Sequence, residues 1–173
     1  MKSKLLNMTQ AALFAVIIAV CSMLSIPAVI PFTLQTFAVF FSLFMLGGKY
    51  GTLSIAVYIL LGIVGLPVFH GFTGGIGILV SNTGGYIFGF LLSGLFYMLI
   101  SQLSENRKLK LISAFIGLMI CYIAGTLWFV LSAESAESLK AIISACVLPF
   151  IVPDIIKILS AYFLSKKLTK FNH

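Results

Sequence analysis

The stretch "VLPFIVPDIIK", residues 147–157, sets Asp154 and Lys157 inside an apolar run that extends from 139 to 165. What surrounds the run decides how it is read. Of the 173 residues, 61% are hydrophobic and only 9% are charged, and the mean hydropathy is +1.17. Soluble domains carry roughly 25% charged and 45–50% apolar residues. Too little polar surface is left to coat a water-soluble globule. The run is therefore a membrane span, and the chain is an all-α integral membrane protein.

Working outward from this run, a membrane helix needs about 20 mostly apolar residues and must satisfy its backbone hydrogen bonds internally. Six segments meet or approach that requirement, over about 5–26, 33–47, 51–66, 84–103, 110–132 and 139–165. They predict a bundle of six transmembrane helices in a single domain, 1–173. The second and third are short, at about 15 residues each, so they are tilted, broken or joined by a tight turn at "GGKYG". No segment alternates as a membrane β-strand does.

The connections orient the bundle. Lys2, Lys4, Lys49, Arg107, Lys108, Lys110, Lys166, Lys167 and Lys170 all fall on one side, which the positive-inside rule makes cytoplasmic. The opposite loops hold only Lys140, beside Glu134 and Glu137. The net charge of +7 is thus topology, with both termini inside, and no sign of a nucleic-acid partner. A rival reading takes the start as a signal peptide with Cys21 as a lipoprotein site, but Val20 is bulky where a small residue is wanted. Cys21, Cys121 and Cys146 lie far apart and read as buried, unreactive thiols.

Small residues mark two helix faces. Ala11, Ala15 and Ala19, with Ala12 alongside, form a flat strip that suits either internal packing or docking of a separate membrane subunit. Gly85, Gly89 and Ser93 repeat the device and suit internal packing. The outward loops carry the remaining information. In "SIPAVIPFTLQTF" (25–37), Pro27 and Pro31 bracket a non-helical stretch before Thr33 and Gln35. In "GLPVFHGFTGGIGILVSNTGGY" (65–86), an uncharged, glycine-rich stretch with Phe69, His70, Phe72 and Asn82 suggests a lid or re-entrant segment. It contains no phosphate-cradling glycine motif, and His70 has no companion for a metal. Trp128, the only tryptophan, is either a membrane-belt residue or a ring lining a pocket.

An ionisable side chain at bilayer depth costs about 2.5–3.5 kcal/mol on insertion scales. Asp154 and Lys157 are one helical turn apart and can partly neutralise each other. They suit a fold-fixing ion pair or a polar ligand site open to the outside, and the latter is the stronger reading. Thr33, Gln35, Asn82 and Tyr86 offer neutral hydrogen bonds, Phe69, Phe72 and Trp128 apolar walls, and Lys157 one cation. Such a site fits a small, partly apolar solute with amide-like groups and a carboxylate. No catalytic set and no metal set are present, so an intramembrane enzyme is disfavoured. A self-sufficient secondary carrier is the rival function, although no inverted repeat is visible.

The motifs "IPAVIPFTLQTF", "LGGKYGTLSIAVYILLGIVGLPVF", "GGIGILVSNTGGYIFGF", "GTLWF" and "VLPFIVPDIIK" together resemble the BioY family, over nearly the whole chain. These are the biotin-specific substrate-capture (S) components of energy-coupling-factor transporters. The resemblance implies a six-helix protein of a bacterial-type cell membrane that takes biotin at its outer face. Its partners would be a transmembrane coupling subunit, on which Ala11, Ala15 and Ala19 would dock, and two ATPase subunits. ATP would be spent there, since no cofactor is expected on this chain. The loaded component would topple on docking and turn its pocket inward. Asp154 and Lys157 match the family's "PDxxK", and on chemical grounds Asp154 is expected to accept a ureido N–H and Lys157 to pair with a carboxylate. If Lys157 instead neutralises Asp154, the carboxylate must find hydroxyls or water. Asn82 falls where the family's loop more often reads "PTGGY".

Overall fold

A computed structural model describes residues 2–26, 30–132 and 139–171, so Pro27, Glu134 and Glu137 lie outside the described residues. The order is α1 (Lys2–Met23), β1 (Ser25–Ile26), β2 (Phe32–Thr33), α2 (Gln35–Ile63), a 3-10 turn (His70–Phe72), α3 (Ile76–Val80), α4 (Gly84–Leu103), α5 (Arg107–Ser132), α6 (Leu139–Cys146) and α7 (Leu148–Phe171). Among the described residues, five stretches are long and apolar enough to cross a membrane: Lys4–Met23, Gln35–Ile63, Gly84–Leu103, Arg107–Ser132 and Ile142–Lys170. Large apolar side chains such as Leu60, Ile123, Leu127 and Phe163 point outward, as a lipid-solvated bundle requires.

The expected second and third spans are both contained in α2, which folds back on itself. Gly47 has φ 75° and ψ 175°, a conformation essentially confined to glycine. A methyl group placed on Gly51 would sit 2.7 Å from the Cα of Leu43, eight residues earlier. At the far ends of the two legs, the Gln35 side-chain amide donates to the Tyr58 hydroxyl at 3.2 Å. In one straight helix these residues would stand about 35 Å apart. The "GGKYG" turn is therefore a hairpin, and each leg is a short crossing.

The sixth expected span is also divided. It breaks at Val147 and restarts at Leu148, so Pro149 falls in the first turn of α7, where a missing N–H costs least. Pro153 lies inside the helix and leaves the Pro149 carbonyl without its usual donor.

Lipid tails are as apolar as leucine, so close approach of small residues substitutes for the hydrophobic effect between helices. The α4 strip does this against α5. A methyl group on Gly89 would lie 2.9 Å from the Cα of Cys121, and the Ser93 hydroxyl donates to the Gly117 carbonyl at 2.5 Å. The α1 strip corrects one expectation. Ala11, Ala15 and Ala19 are 1%, 0% and 5% exposed, packed inside the bundle where α1 meets α2. Residues so covered present no surface to a separate subunit; the four-residue spacing marked a flat face correctly but not the direction in which it looks.

Candidate functional site

At the end of the bundle away from Lys49, Arg107 and Lys166, an interior cavity of about 60 Å³ lies among α1, α2, α4, α5 and α7. Ile30, Pro31 and Thr33 at the β1–β2 ribbon and Phe69, His70 and Thr83 of the 64–83 segment border it. The latter folds tightly onto the end of α2: the Gly75 amide donates to the Gly62 carbonyl at 2.7 Å, and the Leu66 amide to the Leu61 carbonyl at 3.1 Å. Phe69 is fully buried by this fold and meets Tyr58 edge-on at 5.6 Å. The stretch read as a lid thus packs over the cavity as a plug.

One wall is ionic. Asp154 and Lys157 are 3% and 8% exposed, and the Lys157 ammonium donates to Asp154 Oδ1 at 2.8 Å. The Tyr122 hydroxyl donates to Asp154 Oδ2, also at 2.8 Å. The ammonium stands 4.1 Å from the centre of the Phe32 ring, and Phe32 stacks on Phe150 at 5.6 Å. Each carboxylate oxygen accepts one bond from the protein and has a lone pair to spare; the ammonium, a donor of three, gives one to the carboxylate. The pair is satisfied without being saturated.

The facing wall is neutral. The Ser22 hydroxyl lies 3.0 Å from the Tyr58 hydroxyl and donates to Gln35 Oε1 at 3.4 Å, which closes a ring of three side chains with the Gln35–Tyr58 bond. Thr33 and Thr36 border the ring, and Thr33 Oγ1 accepts from the Gln35 amide at 3.2 Å. Ile87, Phe90, Leu118 and Phe150 supply apolar surface between the walls. His70 also lines the cavity, and burial lowers its pKa below the ordinary 6.5, which keeps it neutral.

Of the residues expected from sequence, Asp154, Lys157, Tyr86, Gln35, Thr33 and Phe69 converge on this cavity, whereas Asn82 and Trp128 do not line it. Trp128 instead donates its indole N–H to the Ser81 carbonyl at 3.0 Å and pins the junction of plug and α4. Tyr122, Tyr58 and Ser22 were not anticipated. Their signal was present, since a hydroxyl within an apolar run must find a partner at depth. Hydropathy treats tyrosine as an aromatic and hides its polar tip.

The comparisons agree with one another. The model of the BioY family matches residues 1–173. The chain is 43% identical over 165 residues to "Biotin transporter BioY" of Thermotoga maritima, covering 95% of this chain and 96% of that one. It is 37% identical over 169 residues to "Probable biotin transporter BioY" of Pyrococcus horikoshii, covering 97% and 98%. A crystal structure described as the S-component for biotin from an ECF-type ABC transporter superposes with a TM-score of 0.85 at 27% identity, over 98% of this chain and 93% of that one. The buried acid–base pair, the plugged cavity and these likenesses point to one conclusion: this multi-pass membrane protein belongs to the BioY family.

Proposed function

We propose that this chain is the biotin-capturing S component of an energy-coupling-factor transporter, a single transmembrane domain that receives biotin from outside and delivers it through partner subunits. The observation that carries the reading is the buried Asp154–Lys157 pair on the wall of this cavity, in a chain of the BioY family. The basic residues collect at the opposite end of the bundle, so the positive-inside rule supports an outward-facing cavity with both termini cytoplasmic. A coupling subunit and two ATPase subunits would supply the energy.

The pairing of Lys157 with Asp154 bears on how the solute lies. A cyclic urea offers an N–H beside a C=O, and the pair offers an acceptor beside a donor at 2.8 Å. In our reading Asp154 accepts the ureido N–H, the free ammonium hydrogens of Lys157 serve the ureido oxygen, and Tyr122 holds the carboxylate in place. The valerate carboxylate then falls to the hydroxyl and amide wall of Ser22, Thr33, Gln35 and Tyr58. The cavity of about 60 Å³ is smaller than the roughly 300–1,000 Å³ of a filled ligand pocket, so in our reading its lining adjusts as the solute enters.

Two measurements test this. Biotin titrated into the purified full-length protein should bind at one site per chain by calorimetry, and absence of binding would overturn the proposal. Uptake into proteoliposomes should require the coupling module and ATP. Accumulation by this chain alone would make it a self-sufficient carrier.

A further inference from the structure

A second cavity, of about 230 Å³, opens at the basic end of the bundle between α4, α5 and α7. Arg107, Lys110 and Lys166 border it, over a floor of Tyr97 and Tyr162. Lys110 is engaged by Glu105 at 2.5 Å, and that bond holds the Glu105 carboxyl below the usual carboxylate range, so the two cancel. Arg107 and Lys166 have no carboxylate within reach among the described residues. The N-terminus of α5 adds its own partial positive charge. Beneath lies Tyr97, only 1% exposed. Its hydroxyl has no hydrogen-bond partner among the described residues, and the uncovered tip faces this cavity. A free hydroxyl in the same hollow as two cations without a carboxylate partner suits an anion.

The same two helices carry the complement. From Arg107, α5 runs toward the other membrane face while α7 returns from it, and the two touch sparingly along the way. In their seam at mid-depth lies a groove of about 330 Å³, almost wholly apolar, between Ile112, Phe115 and Met119 of α5 and Ile151 and Ile155 of α7. The charged hollow toward the basic end and this shallow apolar groove are thus both lined by α5 and α7. A free anion would use only the first part. A phospholipid would use both, and basic hollows between helices at an anionic leaflet select such headgroups.

We propose that the α5–α7 seam binds one anionic diacyl phospholipid, with its phosphate held by Arg107, Lys166 and the Tyr97 hydroxyl and one acyl chain lying in the groove. This site is separate from the solute cavity and does not depend on the identity of the solute.

The test is native mass spectrometry of the full-length protein in detergent, titrated in turn with phosphatidylglycerol, phosphatidylcholine of the same chains, and inorganic phosphate. One phosphatidylglycerol should bind at least tenfold more tightly than phosphatidylcholine. Arg107→Gln with Lys166→Gln should weaken it about 25-fold, at about fivefold for each cation removed, with the phosphatidylcholine adduct unchanged. Tyr97→Phe, a milder change that removes only the hydroxyl, should weaken it by a few fold, and an unchanged unfolding temperature would show that each variant is intact. Ile151→Trp, which fills the groove, should also weaken phosphatidylglycerol. Equal affinity for the two lipids would overturn the proposal. So would inorganic phosphate bound as tightly as the lipid, or full retention of phosphatidylglycerol by the intact Arg107/Lys166 and Tyr97 variants.

Discussion

The ion pair at the solute cavity permits a prediction in which stability and binding part company. In Asp154→Asn the shape is kept and the Tyr122 hydroxyl still finds a carbonyl oxygen, but the Lys157 ammonium, 8% exposed, loses its counter-charge. Removing one member of a buried pair costs about 3–5 kcal/mol, a fall in Tm of about 6–20 °C for a chain of this size. Lys157→Met strands the carboxylate and should cost a similar amount. The double variant Asp154→Asn/Lys157→Met leaves no buried charge, and replacing both partners by uncharged groups is near neutral; its Tm should return to within a few degrees of the parent. Affinity should not return. A hydrogen bond to a charged group contributes about 1.5–3 kcal/mol, so loss of the charged partner weakens biotin by about 10- to 150-fold in each single variant and at least as much in the double. Differential scanning fluorimetry and calorimetry on the same preparations give both numbers. Parental affinity in a stable double variant would refute the argument and leave the pair as a fold-fixing device alone.

Other perturbations probe other parts of the molecule. Gly47→Ala puts a side chain at φ 75°, ψ 175° and should cost about 1–3 kcal/mol, seen as a lower Tm with biotin affinity intact, because the turn is remote from the cavity. Trp128→Phe removes the bond to the Ser81 carbonyl; it should loosen the plug and speed biotin release severalfold in a stopped-flow chase, with little change in Tm. His70 is half-buried with its pKa lowered, so the unfolded plug binds the proton more readily than the packed one. Stability of this segment is therefore full above about pH 6.5 and falls as the pH drops through that value. Limited proteolysis within 64–83 should accelerate on acidification in the parent and less so in His70→Gln.

Much of this fold was legible because the bilayer imposes strict conditions. The apolar run lengths and the one-sided basic residues located the crossings, and the glycines at 47 and 48 marked the hairpin since few other residues can turn a chain so tightly. Asp154 and Lys157 stood out because charge at depth is costly and so needs a reason. What stayed hidden depended on rotation and on side chains with two characters. Ala11, Ala15 and Ala19 look inward rather than outward, which spacing alone does not tell. Asn82 and Trp128 do not reach the cavity lining: Asn82 sits in a loop whose fold is set by contacts distant in sequence, and Trp128 turns from α5 to the Ser81 carbonyl. Tyr58 and Tyr122 read as greasy rings, yet their hydroxyls organise both walls.

Phe32 sits at the tip of the outer ribbon with one face on the Lys157 ammonium and stacks on Phe150. A desolvated contact of this kind is worth about 2 kcal/mol. The ribbon and the charge are consequently coupled: any displacement of Phe32 would bare the cation, and a solute that took up that cation, as proposed above, would compete with the ring for it. On that proposal occlusion and recognition would draw on the same ring, so a substitution at Phe32 would alter both.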